Sequence, residues 1–312
     1  MKYCFGVDVG GTTVKLGFFS EDSRLIEKWE ITTRKEEDGV HILPDIAQSL
    51  KAKMKEHGIV ESDVLGIGIG VPGPVTKDGV VHRCINLGWG ILNVEEALGE
   101  LMNIPVKAGN DANVAALGEA WQGGGKGYEN VVMVTLGTGV GGGIILDGKI
   151  LTGTKGAAGE IGHILVNYDE KEYCNCGKTG CLEQYASATG IVRVTQAILA
   201  ESTKPSTLRD FNPLTAKDIF DQAKDGDELA NDAVNQLCRY LGIALSHIAE
   251  VVDPEAFVIG GGVSKAGEIL TTNISKYYNE FAMVPVRNKT FCLALLGNDA
   301  GIYGCAKMAM NC

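Results

Sequence analysis

The stretch from Gly156 to Glu183 constrains the fold more than any other. It reads GAAGEIGHILVNYDEKEYCNCGKTGCLE and sets His163, Cys174, Cys176 and Cys181 in the spacing H-x10-C-x-C-x4-C. Three of the chain's nine cysteines fall in this one loop. Three thiols and an imidazole form the tetrahedral donor set that holds Zn²⁺, with thiolates as soft ligands. Four protein ligands leave no open position, so such an ion is structural. Gly177 and Gly180 allow turns tight enough to bring the sulfurs together. A redox pair is the main rival, but neither C-x-C nor C-x4-C is the CxxC spacing. Ordinary cysteines near an unrelated His would not be expected to cluster. Glu160 and Glu183 flank the set, where a folded metal loop would fix two carboxylates able to grip hydroxyl groups.

A chain of 312 residues has room for two domains or one large one. The balance of 28 Lys+Arg against 39 Asp+Glu gives −11, which disfavours nucleic acid as a partner. A small anionic ligand held by backbone amides remains compatible with that charge. Met1–Phe5 runs straight into a strand pattern, and no apolar run reaches membrane-span length. With an odd number of mostly scattered cysteines, a soluble cytoplasmic protein is expected.

Tyr3–Val9 and Val14–Phe19 read as a β-hairpin around Gly10-Gly11-Thr12-Thr13, with Asp8 beside the turn. Ile42–His57 has helical spacing and stops at Gly58. Val64–Val71 (VLGIGIGV) reads as a buried strand against which other backbone packs closely. Val94–Met102 is a predicted helix, Val106–Ala108 a short strand, and Ala112–Trp121 a helix opened by Asn110-Asp111. Asn130–Leu136, a glycine run to Gly143, and Ile144–Leu151 around Asp147-Gly148 repeat the opening pattern. Ser187–Leu199 and much of Lys217–Ala249 are helical by pattern. Phe257–Ile259 and Leu293–Leu296 are further strands, Ser264 is a candidate cap, and Asp299–Met310 is a small-residue helix. The reading is two mixed α/β halves with a cleft between them.

Gly137–Gly142 and Gly68–Gly73 both match G-x-G-x-x-G literally. A dinucleotide fingerprint needs a helix at that turn, and Gly143 leads into a strand instead. Walker A is absent. Three glycine loops, two with threonines, remain: Gly10–Thr13, Gly137–Gly139 and Gly260–Gly262. Any one of them could serve strand crowding alone. Together they suit a triphosphate, because exposed amides and hydroxyls make concave anion sites.

Asp8-Val9-Gly10-Gly11-Thr12-Thr13-Val14-Lys15 resembles the first phosphate motif of actin-like sugar kinases. Leu136–His163 followed by CNCGKTGCLE resembles the signature of the ROK family (repressor, open reading frame, kinase), in wording most like its bacterial glucokinases. The resemblance implies a two-domain, actin-like (ribonuclease H-like) ATPase fold with an interdomain cleft. The expected small domain is 1–120 with 300–312; the expected large one is 121–299, carrying the zinc loop. It also implies ATP-dependent phosphorylation of a hexose at its 6-hydroxyl, with glucose preferred, and a homodimer. The repressors of the family carry an added helix-turn-helix; this sequence starts at the first strand, which favours the enzyme branch.

Residue by residue, the resemblance makes Asp111 the general base, although Asp there would also cap a helix well. Gly73, Asn110, Glu160, His163 and Glu183 are expected on the sugar. His163 would use one ring nitrogen on zinc and the other on a hydroxyl. Asp8 is expected to orient Mg²⁺ through water. Gly10, Gly11, Thr12, Thr13, Gly137, Thr138 and Gly139 are expected on the phosphates, and Gly260, Gly261, Gly262 and Val263 beside the adenosine. Lys15 and Asn86 are weaker candidates; Trp89 and Trp121 read as packing. The competing readings are a kinase for fructose, N-acetylmannosamine or N-acetylglucosamine, and a non-catalytic sugar sensor.

Overall fold

Apolar residues alternating around a glycine turn dictate the first element pair. In the computed structural model, which describes residues 1–312 except Arg83, β1 (Tyr3–Val9) and β2 (Thr13–Ser20) pair antiparallel, with Asp8 opposite Lys15. β3 (Leu25–Thr32) extends the hairpin. Half-buried Leu25, Glu27, Trp29 and Ile31 alternate with exposed Ile26, Lys28, Glu30 and Thr32, a period of two that marks a strand covered on one face. α1 (Ile42–His57) buries Ile42, Ile46, Leu50 and Met54 on one face and ends at Gly58 in the left-handed region, φ 66°. Burying each of those side chains contributes about 1.5–3 kcal/mol.

β4 (Val64–Val71) lies parallel to β1. After β5 (Val80–Val81), β6 (Leu92–Asn93) and α2 (Val94–Met102), β7 (Val106–Asn110) pairs parallel with β4 and leads directly into α3 (Asp111–Gln122). The order of this sheet is β3-β2-β1-β4-β7. β8 (Val131–Leu136), β9 (Val140–Leu146) and β10 (Lys149–Ile150) repeat the opening. β9 starts at Val140, so Gly141 to Gly143 belong to the strand and not to the turn. Asp147 and Gly148 take φ 51° and 68°, the two positive values that a tight hairpin turn needs.

α4 (Glu183–Ala186), α5 (Ala188–Glu201), α6 (Ala216–Lys224) and α7 (Glu228–Val252) follow. β11 (Ala256–Gly260), α8 (Glu268–Phe281), β12 (Thr290–Leu293) and α9 (Ala300–Ala309) complete the chain. The second sheet has the order β10-β9-β8-β11-β12. The strand expected at Leu293–Leu296 lies at Thr290–Leu293, because its ladder with β11 starts at Ala256 opposite Thr290 and stops as β11 turns into its glycines. Ser264 does not cap α8. It sits in the short turn Gly262–Ala266 and donates to the Gly261 carbonyl, and Gly267 precedes the helix instead.

The glycines of β4 answer to α9. A Cβ on Gly68 would stand 1.8 Å from the Cys305 carbonyl oxygen, so only glycine lets the helix lie on this strand. The chain divides into two compact units, residues 1–127, 143–159 and 296–312, and residues 128–142 and 160–295. The segment 143–159, expected with the larger domain, groups with the first unit. Gly143 packs against Ala116 of α3, and Gly156 against the Val75 backbone. Among the described residues no helix is long and apolar enough to cross a membrane.

Candidate active site and metal centre

In the first unit the end of β7 and the start of α3 fix three expected residues together. Asn110 is the N-cap: its Oδ1 accepts the Asn113 N–H at 3.1 Å. Its Nδ2 donates to the Gly73 carbonyl at 3.1 Å and to Asp111 Oδ1 at 3.0 Å. Asp111 Oδ1 also accepts the Ala112 N–H at 2.8 Å. Capping therefore falls to Asn110, and Asp111 is held in the first turn by the Asn110 amide and the Ala112 N–H. Gly73 takes φ 97°, which turns its carbonyl toward Asn110.

Asp8, near the end of β1, is half-buried and packs against α9, where a Cβ on Gly301 would stand 2.4 Å from its Oδ2. Burial pushes its carboxyl up to about 6; Lys15 pulls it back and the charge of Asp111 pushes it up again. A divalent cation beside Asp8 would relieve that burden, so the residue suits the expected Mg²⁺ role. The adjoining turn is ordered by its own backbone. Gly10 N–H donates to the Thr13 carbonyl at 3.0 Å, Thr33 Oγ1 to the Gly10 carbonyl at 2.7 Å, and Thr33 N–H to the Thr12 carbonyl at 3.0 Å. A Cβ on Gly11 would meet nothing within 4 Å, so the tip is open. Lys15 Nζ donates to the Asn298 carbonyl at 3.0 Å.

In the second unit, Gly137 to Gly139 form a turn closed by Gly137 N–H to the Gly139 carbonyl at 3.0 Å. The start of α5 braces it: Ala188 N–H donates to the Gly137 carbonyl and Thr189 Oγ1 to the Thr138 carbonyl, both at 2.8 Å. Glu183 Oε2 accepts the Val140 N–H at 3.0 Å, and its Oε1 lies 3.8 Å from Cys174 Sγ. Thr138, Gly139, Cys174 and Glu183 border a cavity of about 390 Å³. The third loop, Gly260 to Val263, follows β11. Gly261 takes φ 84° and lies against the Leu136 carbonyl. Gly262 and Val263 line a cavity of about 210 Å³ with Ala188 and, from α6, Lys217 and Phe220. Nothing in the sequence marked α6 for this position.

His163, Cys174, Cys176 and Cys181 converge, their donor atoms all within 4.8 Å of one another. His163 Nδ1 is 3.7 Å from Cys174 Sγ, and Cys176 Sγ is 3.5 Å from Cys181 Sγ. A tetrahedron with Zn–S of about 2.3 Å and Zn–N of about 2.0 Å has edges of roughly 3.5–3.8 Å, so the set fits zinc. The Cys176–Cys181 separation is far beyond the ~2.05 Å of a disulfide. Burial pushes Cys181 up to about 12 and raises Cys174, so two donors await a cation before they ionise. The loop is shaped by Cys174 N–H to the Lys178 carbonyl at 2.7 Å and Gly177 N–H to the Cys174 carbonyl at 2.8 Å. Glu160 is exposed, and its carbonyl accepts the His163 N–H at 3.2 Å.

Two features were not expected. Asn113 is 4% exposed, and its Oδ1 has no hydrogen-bond partner among the described residues, one helical turn from Asn110. A lone Asn inside a helix carries no sequence signal. Arg193 of α5 is bonded to Glu170 and Glu172 of the cysteine loop, a pairing hidden by the sequence distance.

The family model described as "ROK family" matches residues 4–311. A glucokinase from Halalkalibacterium halodurans is 44% identical over 308 residues, covering 97% of this chain and 93% of that protein. An N-acetyl-D-glucosamine kinase from Haemophilus influenzae is 30% identical, covering 98% and 99%. The crystal structure of a ROK family glucokinase from Streptomyces griseus in complex with glucose and AMPPNP matches with a TM-score of 0.73 at 33% identity, covering 99% of this chain and 100% of that one. With its motifs in place on this mixed α/β framework, the chain belongs to the ROK family and has the two-domain, actin-like fold of its sugar kinases.

Proposed function

We propose that this chain is a glucokinase that transfers the γ-phosphoryl group of ATP to the 6-hydroxyl of glucose. The observation that carries the reading is Glu183, which joins the cysteine loop to the second glycine turn through the Val140 N–H. That bond ties one acid expected on the sugar to the turn expected on the phosphates, which supports the fixed positioning that phosphoryl transfer requires.

Asp111 takes the proton from the sugar's 6-hydroxyl as that oxygen attacks the γ-phosphorus, and ADP leaves. Gly73, Asn110, Glu160, His163 and Glu183 orient the sugar. The Asn110 amide is already spent on its cap and on Gly73 and Asp111, so a sugar hydroxyl would use the second lone pair of Oδ1. His163 turns Nδ1 toward the thiols, which leaves Nε2 for a hydroxyl. Gly10 to Thr13 and Gly137 to Gly139 take the phosphates; Gly260 to Val263, with Phe220, line the adenosine. Asp8 would hold Mg²⁺ through water, which neutralises charge on the phosphates. His163, Cys174, Cys176 and Cys181 would hold a structural zinc that shapes the loop and takes no part in the chemistry. A homodimer in the cytoplasm completes the reading.

The test is ADP release with ATP and a panel of hexoses. Glucose should give the highest kcat/KM. A preference for N-acetylglucosamine, N-acetylmannosamine or fructose would replace the substrate, and no turnover with any sugar would leave a sensor.

A further inference from the structure

The cysteine loop is held by more than its own turns. The Glu170 side chain, 10% exposed, spends both carboxylate oxygens. Oε1 accepts the backbone N–H groups of Lys171 at 2.9 Å and Glu172 at 3.0 Å. Oε2 accepts the Tyr185 hydroxyl at 2.5 Å and Arg193 Nη2 at 2.8 Å. Burial alone would raise this carboxyl; the Tyr185, Glu172 and Arg193 donors outweigh it and bring it down to about 2.

Tyr185 follows Glu183 by two residues, and its hydroxyl accepts Asn167 Nδ2 at 2.8 Å. Arg193 also donates to Glu172 Oε2 at 3.3 Å and to the Gln184 carbonyl at 3.1 Å, with its guanidinium 5.2 Å from the Tyr185 ring centre. Its fork is thus committed, although it borders the cavity beside Thr138 and Gly139. Gln184 closes the circuit: Nε2 donates to the Glu172 carbonyl at 2.9 Å, and Oε1 accepts the Cys181 N–H at 3.0 Å. A chain of direct contacts runs from α5 to the backbone of an expected zinc ligand. An exposed Arg–Glu pair would contribute little. A half-buried one shared among several donors acts as a network.

We propose that Glu170, Tyr185 and Arg193 are positioning residues that clamp the cysteine loop in the shape where His163 and the three thiols converge, and so set how long zinc is retained and how well the loop grips sugar. This rests on the zinc reading above. The physical reason is ordering entropy. Without the clamp, zinc binding would itself have to order the loop between His163 and Cys181, and that cost would be taken from its affinity. None of the three touches the reacting atoms, so the clamp acts on binding and not on the chemical step.

Full-length, zinc-loaded protein is mixed with a chromophoric chelator and the release of zinc is timed, for wild type, Glu170→Gln, Arg193→Gln and Tyr185→Phe. Removing groups that orient metal ligands weakens metal binding roughly 10–100-fold, so Glu170→Gln and Arg193→Gln should release zinc faster by that order. Their KM for glucose should rise while kcat stays near wild type. Tyr185→Phe removes one hydroxyl and keeps its ring against Tyr240, with centroids 4.3 Å apart; it should shift both readouts the same way, by less. Should the other two fail to fold, Tyr185→Phe decides. Folded variants that release zinc at the wild-type rate with unchanged KM overturn the clamp alone. Wild type purified without zinc overturns the clamp and the metal reading together.

Discussion

Glu183 Oε2 accepts the Val140 N–H at 3.0 Å, tying the end of the cysteine loop to the second glycine turn. A Cβ on Gly139 would come within 2.1 Å of that oxygen, so glycine is required for the carboxylate to settle there. Such charge-assisted bonds contribute about 1.5–3 kcal/mol. Glu183→Gln should therefore raise KM for glucose and for ATP together. Glu160→Gln, altering an exposed carboxylate before the Ile161–His163 turn, should raise KM for glucose only. Initial rates with both substrates varied measure this; the same ATP KM in the two variants would break the link.

Asp111 is fixed by Asn110 and by the Ala112 N–H but is not itself the cap. Asp111→Asn keeps the shape and the Asn110 cap, so α3 should start where it does now. Loss of a positioned base lowers kcat by about 10²–10⁴-fold. Glucose binding by calorimetry should change little. Turnover at the wild-type rate would remove the base assignment.

The cysteine loop brings its four donors within 4.8 Å of one another, two of them buried thiols whose titration desolvation raises. Chelation under reducing conditions should strip zinc and loosen the loop, because metal binding and local folding are one free energy. Hydrogen exchange should rise within Gly156–Glu183 and stay unchanged in β1 and β4, while glucose affinity falls. Protection of the loop that is equal with and without metal would show that the ion does not shape it.

Much of this was legible because its signals are local. Ile42–His57 and Val64–Val71 have the bounds expected from periodicity and glycine stops, and the donor spacing singled out the metal loop. β3 is the counterexample: the Leu-Ile and Glu-Lys pairs that open LIEKWEIT break a clean alternation and mask a strand that is placed by its pairing with β2. The shift of β12 to Thr290–Leu293 had no local sign, since its register is set by β11. The same holds at the site. Asn110 and Asp111 announce a helix start, whereas Arg193 and α6 reach their places only through tertiary packing.

Gly68 offers a test of that packing. A methyl group there would stand 1.8 Å from the Cys305 carbonyl oxygen, backbone that cannot rotate away. Overpacking of this kind costs about 1–3 kcal/mol. Gly68→Ala should lower the melting temperature markedly, while Gly11→Ala, whose Cβ meets nothing within 4 Å, should not. Equal melting temperatures would mean that α9 does not lie on β4 as closely as described.

Asp8 makes a pH prediction whose sign follows from its burial. Its carboxyl is raised from 3.8 to about 6, first by desolvation and then by Asp111, against Lys15. The folded, ligand-free protein therefore keeps the proton longer than the unfolded chain does. Stability declines as pH rises from about 4 to about 6, and the full cost of the buried charge is present above that. Mg²⁺ needs the ionised form, so the affinity for Mg²⁺ with AMPPNP should run the other way, rising roughly tenfold per pH unit below about 6 and levelling off above. Asp8→Asn has no charge to bury: it should flatten both curves and weaken nucleotide binding at neutral pH. Calorimetry and thermal unfolding across that range measure both effects. A variant that kept the wild-type pH dependence would assign the titration to another group and leave Asp8 without its role at the metal.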